Sequence, residues 1–395
     1  MQNPTRGRVY RRCACRDDSG DQLGPHCPKL DNRSHGRWSY AVDLAPVEGK
    51  RKTRRRGGFA TKQEARAALA KILEYEHTGL VIDDRQTVGD YLTDWMRTKT
   101  LTLKPTTIAN YQRYIAQDLL PSLGHLRLET LNHRHVMRFV HDQITAGRGL
   151  TTIRRCVATL SSALHDAVRQ RRLPHNAARY VTIPRPPKYE PTCWTPTQAA
   201  RFLRHCADHD DPLTDLFEVI IGTGMRRGEA LALHWADINL DERLLFVRYT
   251  LSNINNTTPV FTTPKTRSSQ AWISLSDRVI AALRRQAARQ PGHDLVFTRR
   301  TGQPLRPDYV LRHFHDLSAQ AGLPRIRVHD LRHFAATTML SSQVPLVMAS
   351  RTLRHSTVST TTEIYAHLLK PLANDAVNTI EAALARCDHN ATTSA

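Results

Sequence analysis

Between His329 and Tyr365 the chain carries side chains suited to handling phosphate: His329-Asp330-Leu331-Arg332-His333, Leu353-Arg354-His355 and Glu363-Ile364-Tyr365. A guanidinium grips phosphate oxygens with a planar fork, an imidazole moves protons near neutral pH, and a phenol can attack as a covalent nucleophile. On a helix His329 and Arg332 are three residues apart and share one face. Such a grouping points to covalent phosphoryl transfer on a nucleic acid.

A second stretch, Gly222-Thr223-Gly224-Met225-Arg226-Arg227-Gly228-Glu229, follows an apolar run. Its glycines miss the GxGxxG spacing by one residue and no Lys-Ser/Thr follows, so a nucleotide cofactor is unsupported. It does place Arg226 and Glu229 three apart at a helix start. There Arg226 can reach a phosphate while Glu229 orients it. Read as a plain ion pair, the two need no catalysis. A metal reading of His329 and His333 lacks the HExxH glutamate.

The elements that must hold these residues belong to a basic chain. Lys+Arg 57 against Asp+Glu 36 gives +21 over 395 residues. That excess favours a polyanion, because neutralised phosphates release counterions; a merely basic protein is the alternative. No apolar run reaches the roughly 18–20 residues needed to span a bilayer, and Met1–Arg8 lacks the apolar stretch of a signal peptide. A soluble protein of a reducing compartment, without membrane contact, is expected. Of seven cysteines, Cys156, Cys193, Cys206 and Cys387 are scattered, while Cys13, Cys15 and Cys27 cluster near His26 and His35. A Cys3His zinc site and separate reduced thiols both fit, since Cys13-Ala14-Cys15 is tighter than a CxxC knuckle.

The length predicts two or three domains. Residues 1–80 show two strand-like pieces around Lys50-Arg51-Lys52-Thr53-Arg54-Arg55-Arg56, then a helix capped by Thr61 and Glu64. Arg51, Arg54, Arg55 and Arg56 on a ribbon suit a DNA groove; a solvated loop and a nuclear-localisation run are the other readings. Residues 85–182 have helical apolar spacing (Val88, Tyr91, Leu92, Trp95; Ile153, Val157, Leu160, Leu164), a turn at Pro121–Gly124, and basic faces that include Lys104 and Arg154. Residues 183–188 are proline-rich and read as a linker. Residues 190–386 mix helices with strands at 244–249 and 270–275, and 387–395 form a polar tail. The fold class is mainly α with small β-sheets, α+β.

Together Gly222–Glu229, His329-x-x-Arg332, Leu353-Arg354-His355 and Tyr365 resemble, in order and spacing, the signature of the tyrosine recombinase (phage-type integrase) family. The resemblance covers the C-terminal block. The middle block resembles the family's helical, SAM-like core-binding domain, and residues 1–80 an arm-binding domain. It implies that Tyr365 attacks the scissile phosphate and leaves a 3′-phosphotyrosyl link. Arg226 and Arg332 would hold the non-bridging oxygens, with Glu229 in support. Lys265, in the loop between two strands, would protonate the 5′-oxygen, His329 would assist proton transfer, and His355 would hydrogen-bond the phosphate. Neither cofactor, metal nor ATP is required. Double-stranded DNA with core and arm sites, a tetramer on DNA, and accessory directionality or DNA-bending factors would be the partners. A regulator or inactivated integrase, and a type IB topoisomerase-like enzyme, are the competing functions. Glycine usually stands where this chain has Arg354. A left-handed helix end there would cost on the order of 1 kcal/mol, or Arg354 would contact the DNA backbone.

Overall fold

In the computed structural model, residues 7–47, 50–80, 85–186, 192–255, 257–264 and 266–354 are described, with backbone alone at 44–47, 50–52, 76 and 267. Lys265, His355 and Tyr365 lie outside these residues. The chain is α+β, helices with small antiparallel sheets. Cα proximity divides it into Met1–Leu103 with Asn110–Pro186, and Lys104–Ala109 with Pro187–Ala395.

In the first unit β1 (Arg8–Arg12), β2 (Arg37–Val47) and β3 (Lys50–Phe59) form an antiparallel sheet in that order. The sequence suggests only the last two. Arginine-rich β1 has no apolar alternation and is recruited by pairing, Val9 opposite Tyr40. Helix α1 (Lys62–His77) covers one face, where Tyr40, Val42 and Ile72 are buried with Val9, Phe59 and Leu69 against them. Facing residues of an antiparallel pair share a side of the sheet. Arg54 opposite Val42 and Arg56 opposite Tyr40 therefore lie on the helix side. Arg55, opposite Ala41, lies on the open side with Arg8 and Tyr10. The basic run does not present one face; of Arg51 only the backbone is described.

Between β1 and β2 the chain doubles back. Leu23 N–H donates to Cys15 O at 2.8 Å and Cys13 N–H to Gly24 O at 3.1 Å. Two 3-10 turns, Gly24–His26 and Pro28–Asp31, follow. The ligand-type atoms of Cys13, Cys15, Cys27 and His35 then lie within 4.8 Å of one another.

Five helices follow: α2 (Val88–Lys99), α3 (Pro105–Tyr114), α4 (Leu120–Leu123), α5 (His133–Thr145) and α6 (Leu150–Arg169). The apolar positions picked out by spacing in α2 and α6 are buried. Across them Tyr91 Oη donates to Ala163 O at 2.6 Å and Trp95 Nε1 to Asp166 at 2.8 Å. The expected turn at Pro121 is instead the start of α4. The helix widens to a π turn over Ile115–Leu119, with Leu120 N–H donating to Ile115 O, and so passes a proline whose N–H is missing.

The second unit contains α7 (Pro196–Asp208), α8 (Thr214–Thr223), α9 (Arg227–Ala230), β4 (Ile238–Asn239), β5 (Leu244–Phe246), β6 (Thr250–Ile254), β7 (Thr258–Thr262), β8 (Trp272–Ser274), α10 (Asp277–Arg289), α11 (Pro307–Gln320), α12 (Asp330–Ser341) and α13 (Leu346–Thr352). Strands order as β4-β5-β8 and β6-β7. The two expected strands are β5 and β8, paired with Leu245 opposite Ile273. Trp194, Phe202, Phe217 and Phe314 interlock in the core with ring centroids 5.1–5.6 Å apart. Arg278–Glu218 and Arg285–Asp215 pairs, each 2.7 Å, tie α10 to α8. Among the described residues no helix is long and apolar enough to cross a membrane.

Candidate active site at the end of helix α8

Helix α8 stops at Gly224, whose φ of +63° is the left-handed cap that glycine adopts without a Cβ penalty. A Cβ there would also sit 2.7 Å from Leu353 Cδ2. The turn delivers Arg226 immediately before α9. Arg226 N–H donates to Glu229 Oε2 at 3.0 Å and Nη1 donates to Glu229 Oε1 at 2.7 Å. Nη1 also reaches Ser269 Oγ at 3.4 Å. The Arg226 side chain stays 37% exposed, open to an outside anion, whereas that of Glu229 is 2% exposed.

Arg354 reaches the same carboxylate from the end of α13. Its φ is +55°, the strained cap that the sequence suggests. Its side chain does not turn to a DNA backbone. It is 1% exposed, and Nη2 donates to Glu229 Oε2 at 2.7 Å. A buried charge needs a partner, and the two supply each other. Burial alone would raise the Glu229 pKa, but the guanidiniums of Arg354 and Arg226 outweigh it and hold the carboxyl below its ordinary range. Burial pushes the Arg354 guanidinium down, against the pull of Glu229.

Arg332, in the first turn of α12, is 3% exposed. It donates through Nη1 to Gly224 O at 2.7 Å and through Nη2 to Leu353 O. Three segments far apart in sequence, 224–229, 329–332 and 353–354, are thus tied together. The turn into α12 is fixed by fully buried Asp330, which accepts Arg327 N–H at 2.8 Å and Nη2 at 2.7 Å. His329 stands at the N-terminal boundary of α12, its ring 5.2 Å, edge-on, from that of His333. Desolvation by the surrounding protein, then the charges of His333 and Arg332, push its pKa down to about 4. At neutral pH the imidazole is uncharged and can take up a proton.

Among the described residues two guanidiniums, Arg226 and Arg354, pair with one carboxylate, Glu229, and a third, Arg332, binds the Gly224 carbonyl of the same turn. The surplus of positive charge suits a phosphodiester whose negative charge spreads during transfer. Lys265 lies outside the described residues, but its flanks are held. Thr266 Oγ1 lies 3.0 Å from Ser269 Oγ, and Lys104, which groups with this unit, donates Nζ to Thr263 O at 2.7 Å and Pro264 O at 3.2 Å. Lys104, read as a DNA contact, is an anchor of that loop in this structure. Arg154, the other helical candidate, donates to Ile183 O at 3.2 Å. His355 and Tyr365 lie outside the described residues. Sequence reasoning missed Ser269 and the inward turn of Arg354, for which no local pattern is a signal. A cavity of about 570 Å³ lined by Pro212, Phe297, Leu305 and Arg312 shares no residue with the cluster.

Known proteins resemble this chain in sequence and in fold. Residues 193–371 match the phage integrase family, 31–74 an arm DNA-binding domain and 87–143 the phage integrase N-terminal SAM-like domain. A XerC-like tyrosine recombinase of Caldanaerobacter subterraneus subsp. tengcongensis is 24% identical, over 81% of this chain and 89% of its own. The ICEBs1 integrase of Bacillus subtilis is 22% identical, over 83% and 93%. Among solved structures, the Tn1549 transposon integrase in complex with circular intermediate DNA superposes with a TM-score of 0.65 at 17% identity, covering 74% of this chain and 99% of that one. A lambda integrase tetramer bound to a Holliday junction gives 0.56 at 18%, covering 82% and 91%. The chain belongs to the phage integrase family of tyrosine-type site-specific recombinases, in the form that carries an arm DNA-binding domain and a SAM-like domain ahead of the catalytic one.

Proposed function

We propose that this recombinase integrates and excises a mobile element by cutting and rejoining double-stranded DNA through a 3′-phosphotyrosyl intermediate. Tyr365 Oη attacks the scissile phosphorus. The 5′-oxygen leaves, taking its proton from Lys265. Arg226 and Arg332 grip the non-bridging oxygens, neutral His329 exchanges the tyrosine proton, and His355 hydrogen-bonds the phosphate. Glu229 positions Arg226. Rejoining reverses the steps with a 5′-hydroxyl of the other duplex, so the bond energy stays in the phosphotyrosine and no ATP is consumed.

The supporting observation is the convergence of the 224–229, 329–332 and 353–354 segments through Arg332 on Gly224 O and Arg354 on Glu229. On this reading residues 1–80 bind arm-type sites, 85–182 the core site, 190–386 carry the chemistry and 387–395 form a tail. The active species is a tetramer on DNA, assisted by directionality or DNA-bending factors, and it works in the cytoplasm on nucleoid DNA. The lambda integrase tetramer on a Holliday junction supports the assembly.

A duplex selected by the protein from a random-sequence pool, then nicked within the bound site, tests the chemistry. Wild type should accumulate a covalent protein–DNA adduct that maps to Tyr365, and Tyr365→Phe should bind equally but form none. An equal adduct from the Phe variant removes Tyr365. No adduct from wild type favours a DNA-binding regulator.

A further inference from the structure

Residues 13–36 fold almost without an apolar core: of these residues only Gly24 and Cys27 are buried. A segment that buries so little needs another source of order. Part of it is visible as hydrogen bonds. Asp17 Oδ1 accepts from Ser19 N–H at 3.0 Å and Asp21 N–H at 2.9 Å, and Arg11 Nη1 donates to Asn32 O at 3.0 Å. The Asp17 bonds hold a local turn, and the Arg11–Asn32, Leu23–Cys15 and Cys13–Gly24 bonds tie separate stretches of the loop together.

The centre is occupied by three thiols and an imidazole. His35 Nε2 lies 3.5 Å from Cys15 Sγ and 3.7 Å from Cys27 Sγ, and the four ligand atoms stay within 4.8 Å of one another. Zinc bonds of about 2.3 Å to sulfur and about 2.1 Å to nitrogen, at tetrahedral angles, put neighbouring ligand atoms roughly 3.6–3.8 Å apart. The two His35-to-sulfur spacings are of that size, and all four atoms lie within 4.8 Å of one another. The tight Cys13-Ala14-Cys15 pair also fits. The pair follows β1 directly and hydrogen-bonds through its backbone to Gly24 and Leu23, and both sulfurs fall within the same ligand-atom cluster without a CxxC knuckle. Cys27 enters from the junction of the two 3-10 turns. His35 is brought in at the start of β2, where Gly36 has φ +79° and a Cβ would lie 2.9 Å from Arg12 O.

We propose that Cys13, Cys15, Cys27 and His35 bind one zinc ion as a structural Cys3His site that staples the N-terminal loop onto the three-stranded sheet. Three thiolates and a neutral imidazole are the donor set that selects zinc over hard cations. With four protein ligands the site is closed, as structural rather than catalytic zinc sites are. Loading displaces the three thiol protons and leaves the centre at a net charge of −1, set in a strongly basic sheet. The sheet that would meet arm-type DNA thus depends on the metal for its entry loop.

Elemental analysis of the full-length protein, expressed with added zinc and purified without chelators, reads the site directly. About one zinc per chain is expected, falling at least fivefold in Cys27→Ser and in His35→Ala and unchanged in Cys193→Ser, which lies outside the cluster. If those variants fail to fold, cobalt(II) exchange into the wild-type protein gives the second readout, with sulfur-to-cobalt charge-transfer and tetrahedral ligand-field bands expected. Zinc-free wild-type protein, unchanged zinc in both cluster variants, or a disulfide among Cys13, Cys15 and Cys27 in a non-reduced peptide map each overturns the site.

Discussion

Glu229 sets the charge pattern of the site. It is 2% exposed and accepts one guanidinium from its own helix start and another 125 residues away. Removing one partner of a buried pair leaves the other uncompensated, so Glu229→Gln should destabilise the catalytic unit by about 3–5 kcal/mol. Arg354→Met, which keeps bulk and removes charge, should cost a similar amount. The double variant should lose less than the sum, by about 0.5–3 kcal/mol, because both singles break the same contact. Strictly additive urea-unfolding losses would dismiss the pairing. His329 gives the pH prediction. Its folded pKa of about 4 lies below the ordinary imidazole value, so between about 4 and 6.5 the unfolded chain binds a proton that the native chain does not. Stability therefore rises with pH across that window and is level above it. Glu229, held low, acts in the same direction: its contribution is present above the ordinary carboxyl range and is lost as pH falls. His329→Asn should flatten part of the slope between pH 4.5 and 6.5. An unchanged slope, or a histidine resonance titrating near 6.5 and absent from the variant, contradicts the shifted imidazole.

At the scale of elements, the α8–α9 turn is the joint on which the site hangs. Gly224→Ala forces a left-handed alanine, costing on the order of 1 kcal/mol, and drives a methyl against Leu353. The carbonyl that receives Arg332 belongs to the same residue, so cleavage should fall by more than tenfold while duplex binding stays within a few-fold. Equal loss of binding and cleavage in gel-shift and adduct assays would make the turn a mere folding element. Core packing gives a different result. Phe314→Ala removes a ring touching Trp194, Phe202 and Phe217, and should cost about 3–5 kcal/mol by urea unfolding. A loss under about 1 kcal/mol would show that the aromatic core repacks. Both elements bear on what the sequence reveals. Helices α2 and α6 are legible because their buried residues repeat at helical spacing, and Arg226, His329 and Arg332 because each motif is contiguous. Strand β1 is not, since its order comes from pairing with β2 and not from its own pattern. The proline at 121 misleads because a π turn upstream absorbs its cost. The inward turn of Arg354 is hidden for a plainer reason: its partner is distant in the chain, and a charged residue in that position reads as surface.

For the whole molecule the governing quantity is +21 of net charge. If each phosphate neutralised releases counterions, log K for DNA should fall linearly with log salt at about 0.9 per contact. Six to ten contacts would weaken binding by about 10³–10⁵ between 50 and 200 mM salt. The described arginines have different surroundings within each unit. Arg8 and Arg55 share the open face of the N-terminal sheet, Arg226 is half-exposed at the catalytic cluster, and Arg285, Arg278 and Arg354 are already paired with Asp215, Glu218 and Glu229. Internally paired cations cannot add to the slope, so the number of effective contacts must be far below the 57 basic residues. Arg8→Ala with Arg55→Ala should therefore reduce the slope on arm-type DNA by about two units while leaving that on a core duplex unchanged. Fluorescence anisotropy over the two salt concentrations measures both slopes on selected duplexes. Equal reductions on both duplexes would mean that the sheet face acts as a general electrostatic surface, and no reduction on either would take that face off the DNA altogether.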